Sequence, residues 1–147
     1  MATFSRHVTV DWKGTLMEGG GSVKAGTGAF TLPVSFPRRI GEPEGTTSPE
    51  ELVAAAHASC FAMVIAATMG KKGASVAACQ VTSTVTTDKG EAGLTIISSQ
   101  LDVAASGVTG MDAATFVTTV TEAEKGCPVS KALRGGSATI SVKVAVK

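Results

Sequence analysis

Three cysteines, Cys60, Cys79 and Cys127, are the side chains of this 147-residue sequence best suited to covalent chemistry. Cysteine reacts as thiolate, and a helix N-terminus lowers a thiol pKa from about 8.5 by one to several units. In GCPVSKAL, Pro128 suits the first helical position, which puts Cys127 at the N-cap with Lys125 and Lys131 close in sequence. Cys60 lies inside the apolar run HASCFAMVIAA, where burial raises a thiol pKa unless a cation reaches it. Arg38 and Arg39 precede that run closely enough to fold back beside it, although adjacent arginines are also ordinary solvated surface charge. Cys79 sits in an alternating segment and reads as a small core residue. An odd number of cysteines, spaced by nineteen and forty-eight residues, fits neither a disulfide framework nor a zinc site. The residues by themselves leave two readings open, a redox pair or buried structural thiols.

The element that must position Cys60 runs from Pro49 to Lys72. Ser48 is its expected N-cap, Pro49 its first residue and Glu51 the partner in a capping box. Glu50 and Glu51 complement the positive end of the helix dipole, Lys71 and Lys72 the negative end, and Gly73 supplies the stop. The resulting rod is roughly 36 Å long. It has no polar stripe, so it must be buried on every side. A membrane span is the rival reading. The alanine content, His57 within the run and the strand-like flanks argue against it. With 17% charged and 44% apolar residues, the chain is expected to bury surface against another subunit. A net charge of +1 gives no case for nucleic acid or an anionic membrane. The first residues include Arg6 and His7 without an apolar run, so no signal peptide is read and a reducing cytoplasm is expected.

Around the helix, residues 4–16 alternate as a strand with Val8, Val10 and Trp12 on one face, and Ser22–Leu32 reads as a second strand. Pro33–Thr46 reads as a loop. Residues 76–105 read as a β-hairpin turning at Asp88-Lys89-Gly90. A helix is expected over 112–125 with Asp112 as N-cap, then the short helix after Cys127, then a closing strand carrying Ile140, Val142, Val144 and Val146 on one face. This order indicates a single α+β domain over 1–147 with a largely antiparallel sheet.

Helix geometry adds a constraint. Glu50 lies ten residues before Cys60, about 15 Å along the axis and roughly 80° around it. A carboxylate from the helix start that holds an arginine beside Cys60 must therefore come from another chain. Antiparallel pairing of two such helices would achieve this in a homodimer with two shared sites.

Together these residues resemble a known family. TSPEELVAAAHASCF, followed about sixty residues later by GCPVSKAL, is similar to the OsmC/Ohr family of thiol-dependent hydroperoxide reductases, nearest the OsmC branch. VDWKG, GTGAF, SFPRR and DKG fall in the matching order, so the resemblance spans nearly the whole chain. It implies an OsmC-like α+β fold, with mainly antiparallel sheets around a long buried central helix in an intertwined homodimer. It also implies Cys60 as peroxidatic cysteine, Cys127 as resolving cysteine, Arg39 holding the Cys60 thiolate and Glu50 holding the arginine. The loop PRRIGEPEG departs from the family pattern, being one residue longer and carrying Arg38, which competes with Arg39. Cys79 has no family role. His57 is common in this branch but absent from the other, which favours packing or hydrogen bonding over an obligatory base.

The implied chemistry is attack of Cys60 on a hydroperoxide, condensation of its sulfenic acid with Cys127, and reduction of the disulfide by a dithiol, either a lipoylated protein or a small thiol. Phe36, Phe61, Met63 and His57 are the expected substrate pocket, whose apolar character favours organic hydroperoxides. No cofactor and no metal are expected. The competing readings are a redox sensor without turnover, an apolar-ligand-binding dimer of the same fold and, more remotely, a Cys60–His57 hydrolase.

Overall fold

The chain folds into two compact units, Met1–Leu52 and Val53–Lys147. The computed structural model describes residues 3–135 and 139–147. In the first unit, β1 (Val8–Lys13), β2 (Gly20–Ala25) and β3 (Thr31–Val34) form an antiparallel sheet in that order. The expected single strand over Ser22–Leu32 is two strands. Gly28, at φ +78, lets the chain turn between them, a conformation open to glycine at little cost. The expected loop Pro33–Thr46 holds the end of β3 and a five-residue helix, α1 (Phe36–Ile40), with Pro in its first turn. A proline there starts a helix rather than breaking one, which is why proline-rich sequence conceals it. Every residue of β1 is exposed in the single chain, Val8, Val10 and Trp12 included.

Helix α2 (Pro49–Lys71) begins as the sequence dictates, with the Ser48 hydroxyl accepting the Glu51 N–H at 3.1 Å. The other half of the expected capping box is replaced. Glu51 takes the Thr47 hydroxyl, Oγ1 to Oε2, at 2.6 Å. His57, Phe61, Ile65 and Met69, four residues apart, form its one buried stripe. The opposite side is open in the single chain, Met63 being 71% exposed, so the expectation of burial on every side is not met within one copy. α2 is long and apolar enough to cross a membrane. Its buried stripe nevertheless belongs to the core of the second unit.

That core joins Phe61, Ile65 and Met69 to Leu101, Val103 and Ala105 of the sheet and to Phe116 and Val120 of a covering helix. The sheet is a long hairpin, β4 (Ser75–Gly90) and β5 (Gly93–Thr109), with β6 (Thr139–Val146) beside β5. The turn expected at Asp88-Lys89-Gly90 lies further on. Those residues stay in the ladder, and Glu91 and Ala92 close the loop before Gly93 at φ +109. β6 runs parallel to β5, whereas the other three strand pairings among the described residues are antiparallel, so the sheets are mainly antiparallel as expected. Parallel neighbours need a crossover, supplied by α3 (Ala113–Ala123), a 3-10 turn (Glu124–Gly126) and α4 (Pro128–Arg134). Asp112 caps α3 as expected, accepting the Thr115 N–H at 2.7 Å.

Gly110 makes the bend between β5 and α3 at φ +83, where an added Cβ would sit 2.9 Å from the Ala74 Cα and 3.0 Å from the Gly73 carbonyl oxygen. Both neighbours are backbone and cannot rotate away. Gly110→Ala is expected to lower unfolding free energy by about 1–3 kcal/mol, read as a reduced urea midpoint. An unchanged midpoint would show that the bend relaxes freely.

Candidate active site

Two clusters hold the expected catalytic residues. The first is a pair of thiols. Cys127 occupies the N-cap of α4 with extended backbone (φ −70, ψ 121), so its side chain lies beside the free N–H groups of the first turn. Cys60 projects from the middle of α2, half-buried, and its Sγ lies 3.3 Å from that of Cys127, which is fully buried. The pair is 67 residues apart in sequence. Formation of an S–S bond of about 2.05 Å needs an approach of little more than an ångström from this position.

Their electrostatics diverge. Burial pushes Cys127 up, but the Ser130 N–H and hydroxyl, the Cys60 thiol and the Val129 N–H outweigh it and hold Cys127 below the ordinary thiol range. No side-chain capping bond of full geometry forms. The stabilisation is that of several dipoles aimed near the sulfur. Burial pushes Cys60 above its ordinary value; the Val129 N–H opposes this and the neighbouring Cys127 adds to it. Without a cation, then, Cys60 is the less acidic thiol.

The second cluster is an ion pair in the first unit. Arg39 on α1 grips Glu50 in the first turn of α2 through the Nε–Nη2 edge of its guanidinium, with Nη2–Oε1 at 2.6 Å and Nε at 3.1 and 3.0 Å from the two carboxylate oxygens. The Glu50 hydrogen bond and charge raise the Arg39 pKa against a smaller opposing effect of burial. Arg38 turns outward to Glu44 at 2.6 Å and to the Glu42 carbonyl at 3.3 Å. The two arginines are thus separated by partner. Contrary to expectation, Glu50 holds Arg39 within one chain rather than from a second one. The reason is that α1 and the short loop after it return the chain to the start of α2, a closure invisible when residues 33–46 are read as structureless.

The remaining expected residues differ in their burial. Phe61 lies fully buried in the core, and Met63 is exposed on the far side of α2, since residues two apart on a helix point about 200° from each other. Phe36 is half-buried in α1. His57, expected in the substrate pocket, is fully buried with Nδ1 2.7 Å from Ser99 Oγ and Nε2 2.8 Å from Ser130 Oγ. Cys79 is half-buried in β4, its thiol pushed up by burial. An open groove over the first sheet, between Trp12, Gly21, Pro33 and Val34, is lined by none of the expected site residues.

Sequence reading misses Ser99 and Ser130, both fully buried, and the Glu124–Arg134 ion pair, whose charges act on His57. A signal for Ser99 is present in the strand pattern. It shares the strand face of Leu101, Val103 and Ala105, so a polar residue stands on the inward side. Among the described residues no cluster of His, Cys, Asp or Glu forms a metal site.

A family model described as OsmC-like protein matches residues 41–143. The chain belongs to the OsmC family. Its similarity to peroxiredoxin OsmC of Escherichia coli (strain K12) is 37% identity over 135 residues, covering 90% of this chain and 92% of that protein, and the Shigella flexneri protein of the same name matches equally. Among solved structures, an organic hydroperoxide resistance protein OsmC from Legionella pneumophila aligns with TM-score 0.75 and 27% identity over 100% of this chain and 99% of that one. OhrB of Bacillus subtilis, titled an organic hydroperoxide resistance protein, aligns with TM-score 0.73 and 25% identity over 99% and 100%. The OsmC fold thus extends across the whole chain, including the N-terminal residues that the family model does not cover.

Proposed function

We propose that this OsmC-family chain, a thiol-dependent peroxidase, reduces organic hydroperoxides in preference to hydrogen peroxide through Cys60 and Cys127. The observation that carries the reading is the 3.3 Å approach of a mid-helix sulfur to one at a helix N-cap. The Cys60 thiolate attacks the distal peroxide oxygen and releases an alcohol. The sulfenic acid condenses with Cys127, and a dithiol, either lipoylated protein or small thiol, reduces the disulfide by exchange.

Cys60 attacks although Cys127 is the more acidic thiol, because a guanidinium in a low-dielectric pocket stabilises a thiolate more than the half-charge of a helix end. Arg39, braced by Glu50, is that guanidinium, and it also steadies charge on the leaving oxygen. Glu50 and Cys60 are about 15 Å apart along α2, so an Arg39 held by Glu50 serves the Cys60 of a second copy. The open sides of α2 and β1 are the surfaces a homodimer would cover. The chain acts as a single domain over 1–147 in the cytoplasm. Met63, exposed on α2, is the apolar side chain offered to an organic substituent.

Addition of one equivalent of cumene hydroperoxide to the reduced protein should remove two of the three free thiols per chain, and a dithiol should restore both. A ligand-binding protein of the same fold would lose none. A redox sensor would lose them without turning over excess peroxide and dithiol.

A further inference from the structure

A buried line of hydroxyls and one imidazole ends at the resolving thiol. Ser83 Oγ lies 3.2 Å from Ser99 Oγ, Ser99 Oγ 2.7 Å from His57 Nδ1, and His57 Nε2 2.8 Å from Ser130 Oγ. Ser130 stands in the first turn of α4, three residues after the N-cap Cys127, which brings its hydroxyl close to that thiol. Ser99, His57 and Ser130 are fully buried, while Ser83 on β4 is only half-buried. Four elements, β4, β5, α2 and α4, each contribute one member. Burying that many polar side chains costs free energy unless every one is satisfied, and here each finds its partner inside the chain.

We propose that Ser130, His57, Ser99 and Ser83 form a proton wire that removes the Cys127 thiol proton as Cys127 attacks the Cys60 sulfenic acid. This rests on the peroxidase reading above. Hydroxyls and neutral imidazole both donate and accept, so the line has two directions. In one, Cys127 S–H donates to Ser130, Ser130 to Nε2, Nδ1–H to Ser99 and Ser99 to Ser83. In the other, every donor is reversed and the line ends on a Cys127 thiolate. Switching between them moves one proton from Cys127 to water beside Ser83 with no buried imidazolium formed. Concurrently the Cys60–Cys127 bond forms, the Cys60 S–O bond breaks, and the departing hydroxide takes a proton from solvent, so sulfenic acid plus thiol give disulfide plus water.

The imidazole is suited to this neutral role. Burial depresses its pKa, with the Glu124 carboxylate opposing and the Arg134 guanidinium adding to the effect. These charged groups act on it from the 3-10 turn and α4, whereas from the sheet side Ser99 and, beyond it, Ser83 meet it. Ser130, in the first turn of α4, is the member next to Cys127. His57, Ser99 and Ser83 act through it as positioning residues.

Single-turnover reaction of the reduced protein with one equivalent of tert-butyl hydroperoxide separates the steps, with dimedone trapping of sulfenic acid and mass spectrometry of the disulfide. In Ser130→Ala, disulfide formation at pH 7 should slow about 100-fold relative to sulfenic acid formation. Its rate should rise about tenfold per pH unit with the thiolate fraction, whereas the parent profile is flatter. Ser130→Thr keeps a hydroxyl and should restore the flat profile. Ser99→Ala, which cuts the line further out, should reproduce the pH dependence and serves where His57→Gln fails to fold. An unchanged rate ratio in Ser130→Ala, or equal slowing at every pH, overturns the wire. Absence of sulfenic acid in the parent protein sinks the peroxidase reading instead.

Discussion

Cys60→Ser should show no turnover of tert-butyl hydroperoxide above the uncatalysed rate. A serine hydroxyl cannot ionise near neutral pH and does not form the sulfur–oxygen bond on which the cycle depends. Cys127→Ser should behave differently. Its Cys60 still reacts once and stops at the sulfenic acid, because the sulfur 3.3 Å away that completes the disulfide is gone. The expected signature is a single stoichiometric burst in Cys127→Ser and none in Cys60→Ser, measured by peroxide consumption without added thiol. A burst retained in Cys60→Ser would hand the attacking role to Cys127, the thiol that its helix N-terminus makes more acidic.

Replacing Arg39 by lysine should be nearly as damaging, despite conserving charge. Arg39 meets Glu50 with three hydrogen-bond contacts across its planar fork, and a single ammonium cannot hold that carboxylate in the same way. Burial leaves Cys60 less acidic than an ordinary thiol, and in the proposed mechanism a guanidinium compensates for this. Arg39→Lys should slow the reaction of Cys60 with peroxide by about 100- to 1,000-fold, comparable to losing one preorganised donor. The Cys60 pKa, followed by alkylation rate against pH, should rise at the same time. Arg38→Lys supplies the contrast, since Arg38 pairs with Glu44 and not with Glu50. Equal losses at the two positions would mean that the arginines share the task.

The thiol pair is legible in the amino-acid sequence because its signals are local. Proline after Cys127 marks a helix start, and the apolar run around Cys60 marks a buried helix, each readable within a few residues. The Glu50 pairing escapes such a reading for the complementary reason. Counting along one helix establishes that Glu50 and Cys60 lie far apart, but it contains no information on where Arg39 is carried. α1, whose proline resembles a loop residue, decides that. The split of residues 22–32 into two strands and the parallel placement of β6 are hidden likewise, because alternation records which face a residue takes and not which strand lies beside it.

His57 shows the boundary most clearly. Its position on an apolar helix offers packing, hydrogen bonding or catalysis, and nothing near it in sequence distinguishes them. Its partners stand forty-two and seventy-three residues away. What the amino-acid order determined alone is periodicity, caps and the chemical types at two sulfur positions, all of them properties of neighbours in sequence. Tertiary structure alone decided which arginine is bound, what satisfies the buried imidazole and how near the two sulfurs come, since each depends on bringing distant segments into van der Waals contact.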